Sequence, residues 1–206
     1  MAPFFISVLA AFYCSACMLT LFPQETAFPE GFHYEPDFIT PEEEERLLAA
    51  IRGLKLKTFV FQGYEAKRKV ASFGFDWSFE HRRLSKGKDI PDAFRFLVDK
   101  TAEHLEQPGF AELLVTEYPA GSVINWHRDA PPFGLIAGIS LLSDCTFRLR
   151  PYDPPRRGRG ELVTLKVDRR SLYTINGPAR EAWQHSTAPV ETTRYSITLR
   201  TLKHPL

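Results

Sequence analysis

From Leu113 to Leu202 the chain is written in short alternating apolar runs separated by turns, and no other feature constrains the fold as much. Candidate strands are Leu113–Tyr118, Val123–His127, Leu135–Ser143, Cys145–Arg150, Glu161–Val167, Ser171–Ile175, Glu181–Ser186 and Arg194–Leu202. Runs this short, with turn residues between them, build sandwiches or barrels rather than bundles. Upstream the texture is helical. Thr40-Pro41-Glu42-Glu43 predicts a helix start, with Thr40 as N-cap, proline at the first helical position and a Glu placed to close a capping box. Leu47, Leu48, Ile51 and Leu54 form its apolar stripe, and the acidic run Glu42 to Glu45 suits the positive end of the helix dipole. A second helix is predicted over Pro91 to Leu105, with Phe94, Leu97, Val98, Thr101 and Leu105 on one side. Two helices followed by strands give an α+β fold that is mainly β: a double-stranded β-helix, or jelly roll, backed by two N-terminal helices.

At 206 residues the chain is long enough for one domain with a real core. A net charge of +1 means that any nucleic-acid contact must come from local patches, not from the chain as a whole. Three cysteines, two of them in Cys14-Ser15-Ala16-Cys17, do not make a disulfide framework and suit a reducing compartment. Residues 1–27 read as an apolar N-terminal extension without fixed structure. A signal or weak membrane anchor stays open there, but no basic flank or cleavage site precedes Glu25. The expected location is cytoplasmic. The domain proper is expected over residues 28–206, as a monomer with no obligate protein partner.

Within that frame, His127, Asp129 and His185 stand out. His-x-Asp and a distant His supply two imidazoles and a carboxylate, the facial set of a non-haem Fe(II) oxygenase that leaves positions open for cosubstrate and O₂. The same donors can hold Zn²⁺ in a hydrolase. The segment Arg194-Tyr195-Ser196-Ile197-Thr198-Leu199-Arg200 bears on that choice. Strand side chains alternate, so Arg194, Ser196, Thr198 and Arg200 share one face. Two guanidiniums beside a metal suit a small dicarboxylate, and together they point to 2-oxoglutarate.

These residues resemble the AlkB family of Fe(II)/2-oxoglutarate dioxygenases. The likeness runs from about Phe28 to Leu202. It rests on Tyr118-Pro119-Ala120-Gly121, Trp126-His127-Arg128-Asp129, Gly138-Ile139-Ser140-Leu141, Asn176-Gly177-Pro178-Ala179-Arg180 ahead of His185, and the Arg194–Arg200 segment. The resemblance implies that His127, Asp129 and His185 bind Fe(II). It implies that Arg194 pairs with the distal carboxylate of 2-oxoglutarate beside the Tyr118 hydroxyl, and that Arg200 meets the carboxylate next to the keto group. Thr116 and Ser196 are implied as further contacts to the cosubstrate, although both are shorter than the amide side chains frequent at those positions in the family. The implied chemistry couples decarboxylation of 2-oxoglutarate, with O₂ as second cosubstrate, to hydroxylation of an N-alkyl group, which then leaves as formaldehyde. Alkylated bases in DNA or RNA are the implied substrates, and dealkylation repair the implied role.

The expected substrate lid covers about residues 59–88. Its aromatics interleave with Lys67, Arg68 and Lys69, and Tyr64 or Phe73 is placed to stack a base, with Trp183 a further candidate at the mouth. A second basic run, His81 to Lys88, and the arginines 156, 157 and 159 read as phosphate-facing charge or as plain solvated surface. One departure limits the likeness. Asp129 is followed by Ala130-Pro131, where nucleic-acid-repairing members place an acidic pair that holds the flipped base. An oxygenase acting on protein or a small molecule, or an inactive nucleic-acid-binding relative, therefore stays open.

Overall fold

The computed structural model describes residues 28–61, 63–153 and 162–204. The apolar extension and the three arginines at 156, 157 and 159 lie outside the described residues.

Two antiparallel sheets face each other. The larger is built from β1 (Phe32–Glu35), β2 (Lys57–Phe61), β3 (Tyr64–Ser78), β5 (Glu112–Tyr118), β7 (Phe133–Leu141), β10 (Leu172–Ile175) and β12 (Arg194–Leu202), in the order β1-β10-β7-β12-β5-β3-β2. The short β4 (Arg83–Lys86) pairs with the far end of β3. The smaller sheet has the order β6-β11-β8-β9, from β6 (Ile124–His127), β8 (Cys145–Pro151), β9 (Val163–Val167) and β11 (Trp183–Thr187). This is the expected jelly roll.

Alternation explains the layering. On β5, Leu113 and Val115 are fully buried toward one side of the large sheet, as are Ile197 and Leu199 on β12. They meet Leu47, Leu48 and Ile51 of α1 (Pro41–Arg52) and Leu97 and Val98 of α2 (Arg95–His104). A 3₁₀ turn, Asp92–Phe94, opens into α2, so the predicted single helix from Pro91 is two pieces. A separate core lies between the sheets, where Tyr118 and Ile136 pack with Phe147, Leu149 and Ile175. The two cores are insulated by the large sheet.

The capping box of α1 is present: Glu43 N–H donates to Thr40 Oγ1 at 3.2 Å, and Thr40 N–H donates to Glu43 Oε2 at 2.8 Å. The acidic run is more than a dipole effect, however. Glu44 is 0% exposed; it accepts from Leu142 N–H at 2.8 Å and from Arg169 at 2.5 Å. It ties α1 to the β7–β8 turn. Three other expectations shift. β1 is an added edge strand, α3 (Gly177–Ala182) occupies the run before His185, and the strand expected from Glu181 begins at Trp183. Pro178, the second residue of α3, suits the first turn of a helix and denies that stretch to the sheet. The proposed lid is also less separate than expected. β3 pairs with β5 from Lys69 to Gly74, so its middle belongs to the large sheet.

Candidate active site

His127 ends β6, and His185 sits opposite it on β11. A pairing between adjacent strands thus brings together two imidazoles separated by dozens of residues, with ring centroids 4.3 Å apart. Asp129 follows β6 in the loop that turns toward β7. One potential ligand atom from each of the three lies within 4.8 Å of the others.

The tautomers favour a cation. His127 Nδ1 lies 2.9 Å from the Asn125 carbonyl, so it carries the proton and leaves Nε2 as a lone-pair donor. Burial holds both rings neutral. The His185 pKa is pushed down to about 3 by desolvation and by His127, and desolvation lowers that of His127 as well. Burial alone would raise the Asp129 carboxyl. Arg200, the two histidines and Arg180 outweigh it and keep Asp129 ionised well below the usual range. Asp129 Oδ2 is buried without a hydrogen-bond donor and lies 3.5 Å from His185 Nε2. A buried, ionised carboxylate oxygen beside two neutral imidazoles is the donor set of a divalent cation.

The cavity over these residues lies between the sheets. The large sheet lines it with Arg68, Thr116, Tyr118, Tyr173, Arg194 and Arg200, the small one with Ile124, His127, Phe147, His185 and Thr187. Arg194 is 3% exposed, opposes Tyr118 in the β12–β5 register, and donates through Nε to Ser140 Oγ at 2.9 Å. Its guanidinium carbon is 5.1 Å from the Tyr118 ring centroid, and no carboxylate pairs with it among the described residues. It is a buried cation with room for an anion. Arg200 is already engaged: Nη1 donates to Glu112 Oε2 at 2.6 Å and Nη2 to Asp129 Oδ1 at 2.7 Å.

Several expected residues fall elsewhere. Ser196 is buried between Thr116 and Ser140 in the sheet, off the cavity wall. Phe73 does not stack a base. It is 8% exposed, opposes Leu113, and packs in the helix-side core. Lys69 opposes Glu117 and pairs with it at 3.1 Å, while Trp183 packs against the inter-sheet core without lining the cavity. Lys67 is exposed, and Tyr64 is 71% exposed at the β2–β3 turn. Of that set Arg68 alone reaches the cavity wall, its guanidinium 4.0 Å over the Phe59 ring.

Two charged residues in the site were not singled out from sequence. Glu112, 3% exposed, is held by Arg200 and by Ser72 Oγ, which donates to it at 3.0 Å. Arg180 on α3 donates to the Asp129 and Ala130 carbonyls at 3.1 and 2.7 Å, fixing the loop behind the carboxylate. Its place in Asn-Gly-Pro-Ala-Arg was the available signal.

Jelly roll, facial triad and buried unpaired arginine define the class: a non-haem metal-dependent oxygenase. The match to the family described as the 2OG-Fe(II) oxygenase superfamily covers residues 31–200, so the chain belongs to that superfamily, and it is AlkB-like within it. An Arabidopsis thaliana protein named alkylated DNA repair protein ALKBH8 homolog is 26% identical over 81% of this chain and 53% of its own length. The mouse tRNA (carboxymethyluridine(34)-5-O)-methyltransferase ALKBH8 is 24% identical over 79% of this chain and 25% of its own. The chain thus spans about half or less of these relatives. Among solved structures, OsALKBH1 superposes with a TM-score of 0.66 at 12% identity, covering 85% of this chain and 98% of that one. A Pseudomonas putida prolyl-4-hydroxylase gives 0.61 at 13%, covering 84% and 93%. The family uses Fe(II), 2-oxoglutarate and O₂, and the triad fits the iron.

Proposed function

We propose that this oxygenase acts on nucleic acid and oxidises an alkyl substituent of a modified base, the dealkylation chemistry expected from the sequence. The observation that carries the reading is the basic, aromatic wall beside the metal triad. Arg68 and Phe59 line the cavity as a stacked pair, and Tyr64 and Lys67 extend the same hairpin into solvent. The outer face of the small sheet adds Trp126 with Arg150 and Arg148 stacked over it, at 4.1 and 5.3 Å. Stacking surfaces next to cations are how single-stranded nucleic acid is gripped without sequence preference. The relatives named for alkylated DNA repair and for a tRNA uridine support the same class.

In this reading Fe(II) with 2-oxoglutarate and O₂ supplies oxidation of a C–H bond, yielding succinate and CO₂. His127, Asp129 and His185 would hold the metal. Arg194 takes the distal carboxylate of 2-oxoglutarate, with the Tyr118 hydroxyl and the Thr116 side chain beside it. Arg200 keeps Asp129 oriented and ionised, and would meet the second carboxylate of 2-oxoglutarate. Extraction of the base from its stack would bring the alkyl group into the cavity and exclude water.

The test is succinate formation by the full chain with Fe(II), ascorbate and 2-oxoglutarate. It is run against single-stranded oligonucleotides carrying single base modifications and against proline-containing peptides, with mass spectrometry of each. Stimulation and a mass change with an oligonucleotide is the expected result. Turnover stimulated by peptides alone would replace the reading with a protein oxygenase, the alternative that Ala130-Pro131 after Asp129 keeps open.

A further inference from the structure

The cavity carries more positive charge than the iron and cosubstrate need. Arg68, Arg194 and Arg200 bring three guanidiniums to it. Two buried carboxylates answer them: Asp129, and Glu112 just behind Arg200. The imidazoles are neutral metal ligands. Fe(II) adds two positive charges and 2-oxoglutarate brings two negative ones, so the loaded site keeps the surplus of one. Arg180, directly behind Asp129, adds to the same sign.

The surplus has an address. Arg194 is deep and beside Tyr118, and Arg200 is held by both carboxylates. Arg68 makes no ion pair among the described residues; its position is set by the Phe59 ring, 4.0 Å away, and by β3, whose pairing with β5 begins at the next residue. A guanidinium held over an aromatic ring by its carbon, with no carboxylate on its N–H groups, can still donate to an oxyanion. With Phe59 and Val70, Arg68 forms the part of the wall carried by the β2–β3 hairpin, and of these three it alone is charged.

Resting on the nucleic-acid reading above, we propose that Arg68 is the specificity-determining residue of this site: it receives an oxyanion of the substrate and disfavours bases that carry a positive charge. Bases made cationic by alkylation, such as 1-methyladenine and 3-methylcytosine, would enter a water-poor cavity against a like charge. The loop after Asp129 offers no carboxylate to offset such a charge, since Ala130, Pro131 and Pro132 follow it. A base with a carboxylate substituent, or a backbone phosphate next to a neutral base, satisfies Arg68 instead.

The experiment is anaerobic binding, which needs no turnover. Full-length protein is loaded with Fe(II) and 2-oxoglutarate, and titrated against fluorescein-labelled single-stranded RNA containing one 5-carboxymethyluridine, one uridine or one 3-methylcytosine. Wild type, Arg68→Gln and Arg68→Glu are compared, with thermal unfolding and 2-oxoglutarate affinity measured for each. We expect wild type to bind the carboxymethyl strand on the order of tenfold more tightly than the cationic strand. Arg68→Gln should lose that preference and Arg68→Glu reverse it. A uniform loss of affinity for all three strands in Arg68→Gln would overturn the specificity role and leave Arg68 as a contact to backbone phosphate only. The same preferences in wild type and Arg68→Gln would overturn it. So would a defect confined to 2-oxoglutarate affinity, which would make Arg68 a cosubstrate ligand. If no strand binds while 2-oxoglutarate is still consumed in air, the nucleic-acid reading itself fails.

Discussion

Arg200 Nη2 donates to Asp129 Oδ1 at 2.7 Å, while Oδ2 of the same carboxylate is buried without a donor. One oxygen is fixed by a guanidinium and the other is left for a cation. Through its other arm Arg200 binds Glu112, so metal ligand, arginine and second carboxylate form one chain across β12 and β5.

Removing the middle of that chain should therefore cost twice. Arg200→Gln leaves Glu112 buried without its partner, a change worth ~3–5 kcal/mol in comparable settings. It also frees Asp129, which should weaken metal binding by ~10–100-fold. Urea unfolding and Fe(II) or Mn(II) titration measure the two effects separately. Glu112→Gln, which keeps a polar partner, should show the smaller loss in both.

Gly138 pairs with Tyr173, and a Cβ at 138 would meet the phenol ring directly. Tyr173 lines the cavity, so Gly138→Ala should push the ring into space needed by the cosubstrate. The expected result is a raised KM for 2-oxoglutarate together with ~1–3 kcal/mol of destabilisation by overpacking. Tyr173→Leu in the same chain should restore part of the stability. An unchanged KM in Gly138→Ala would show that the ring moves another way.

How much of this was legible in the sequence depends on how local the cause is. The α1 cap and the two faces of β12 follow from spacing within one element, and both appear as expected. Phe73 was misread because its face is set by a partner strand: opposite Leu113, it must point to the helices. Arg180 and Glu44 were illegible as anchors because their acceptors and donors lie 50 to 125 residues away in the chain. Only the fold brings such groups together.

Glu44 supplies a stability test remote from the site. It is fully buried and bound to Leu142 N–H and Arg169. Glu44→Ala strands an amide and a cation, and should destabilise by ~3 kcal/mol or more. Thr40→Ala, which removes only the cap, should lose ~1 kcal/mol. Denaturant midpoints of the two variants give the comparison, and equal values would contradict the anchoring role of Glu44.

The metal-free protein should be sensitive to acid. His185 is held neutral in the fold down to about 3, against 6.5 for a free imidazole. Between those values the unfolded chain binds the extra proton. Stability is thus lost as pH falls from about 6.5, at up to ~1.4 kcal/mol per pH unit for one proton. His127 shifts in the same direction, and Asp129 adds to the loss below 3.8. Urea unfolding of metal-free protein between pH 7.5 and 4.5 should show this slope, and His185→Gln should flatten it. A flat profile in the wild type would contradict neutral buried imidazoles.

The most direct test of the site as a whole is the visible spectrum of the protein with Fe(II) and 2-oxoglutarate, recorded without oxygen. Chelation of the metal by the cosubstrate should produce a charge-transfer band in the wild type. His185→Ala should abolish the band, and Arg194→Gln should demand far more 2-oxoglutarate to reach it. A colourless complex with metal bound, or a band indifferent to both substitutions, would contradict the assignment of His127, Asp129, His185 and Arg194 to this chemistry.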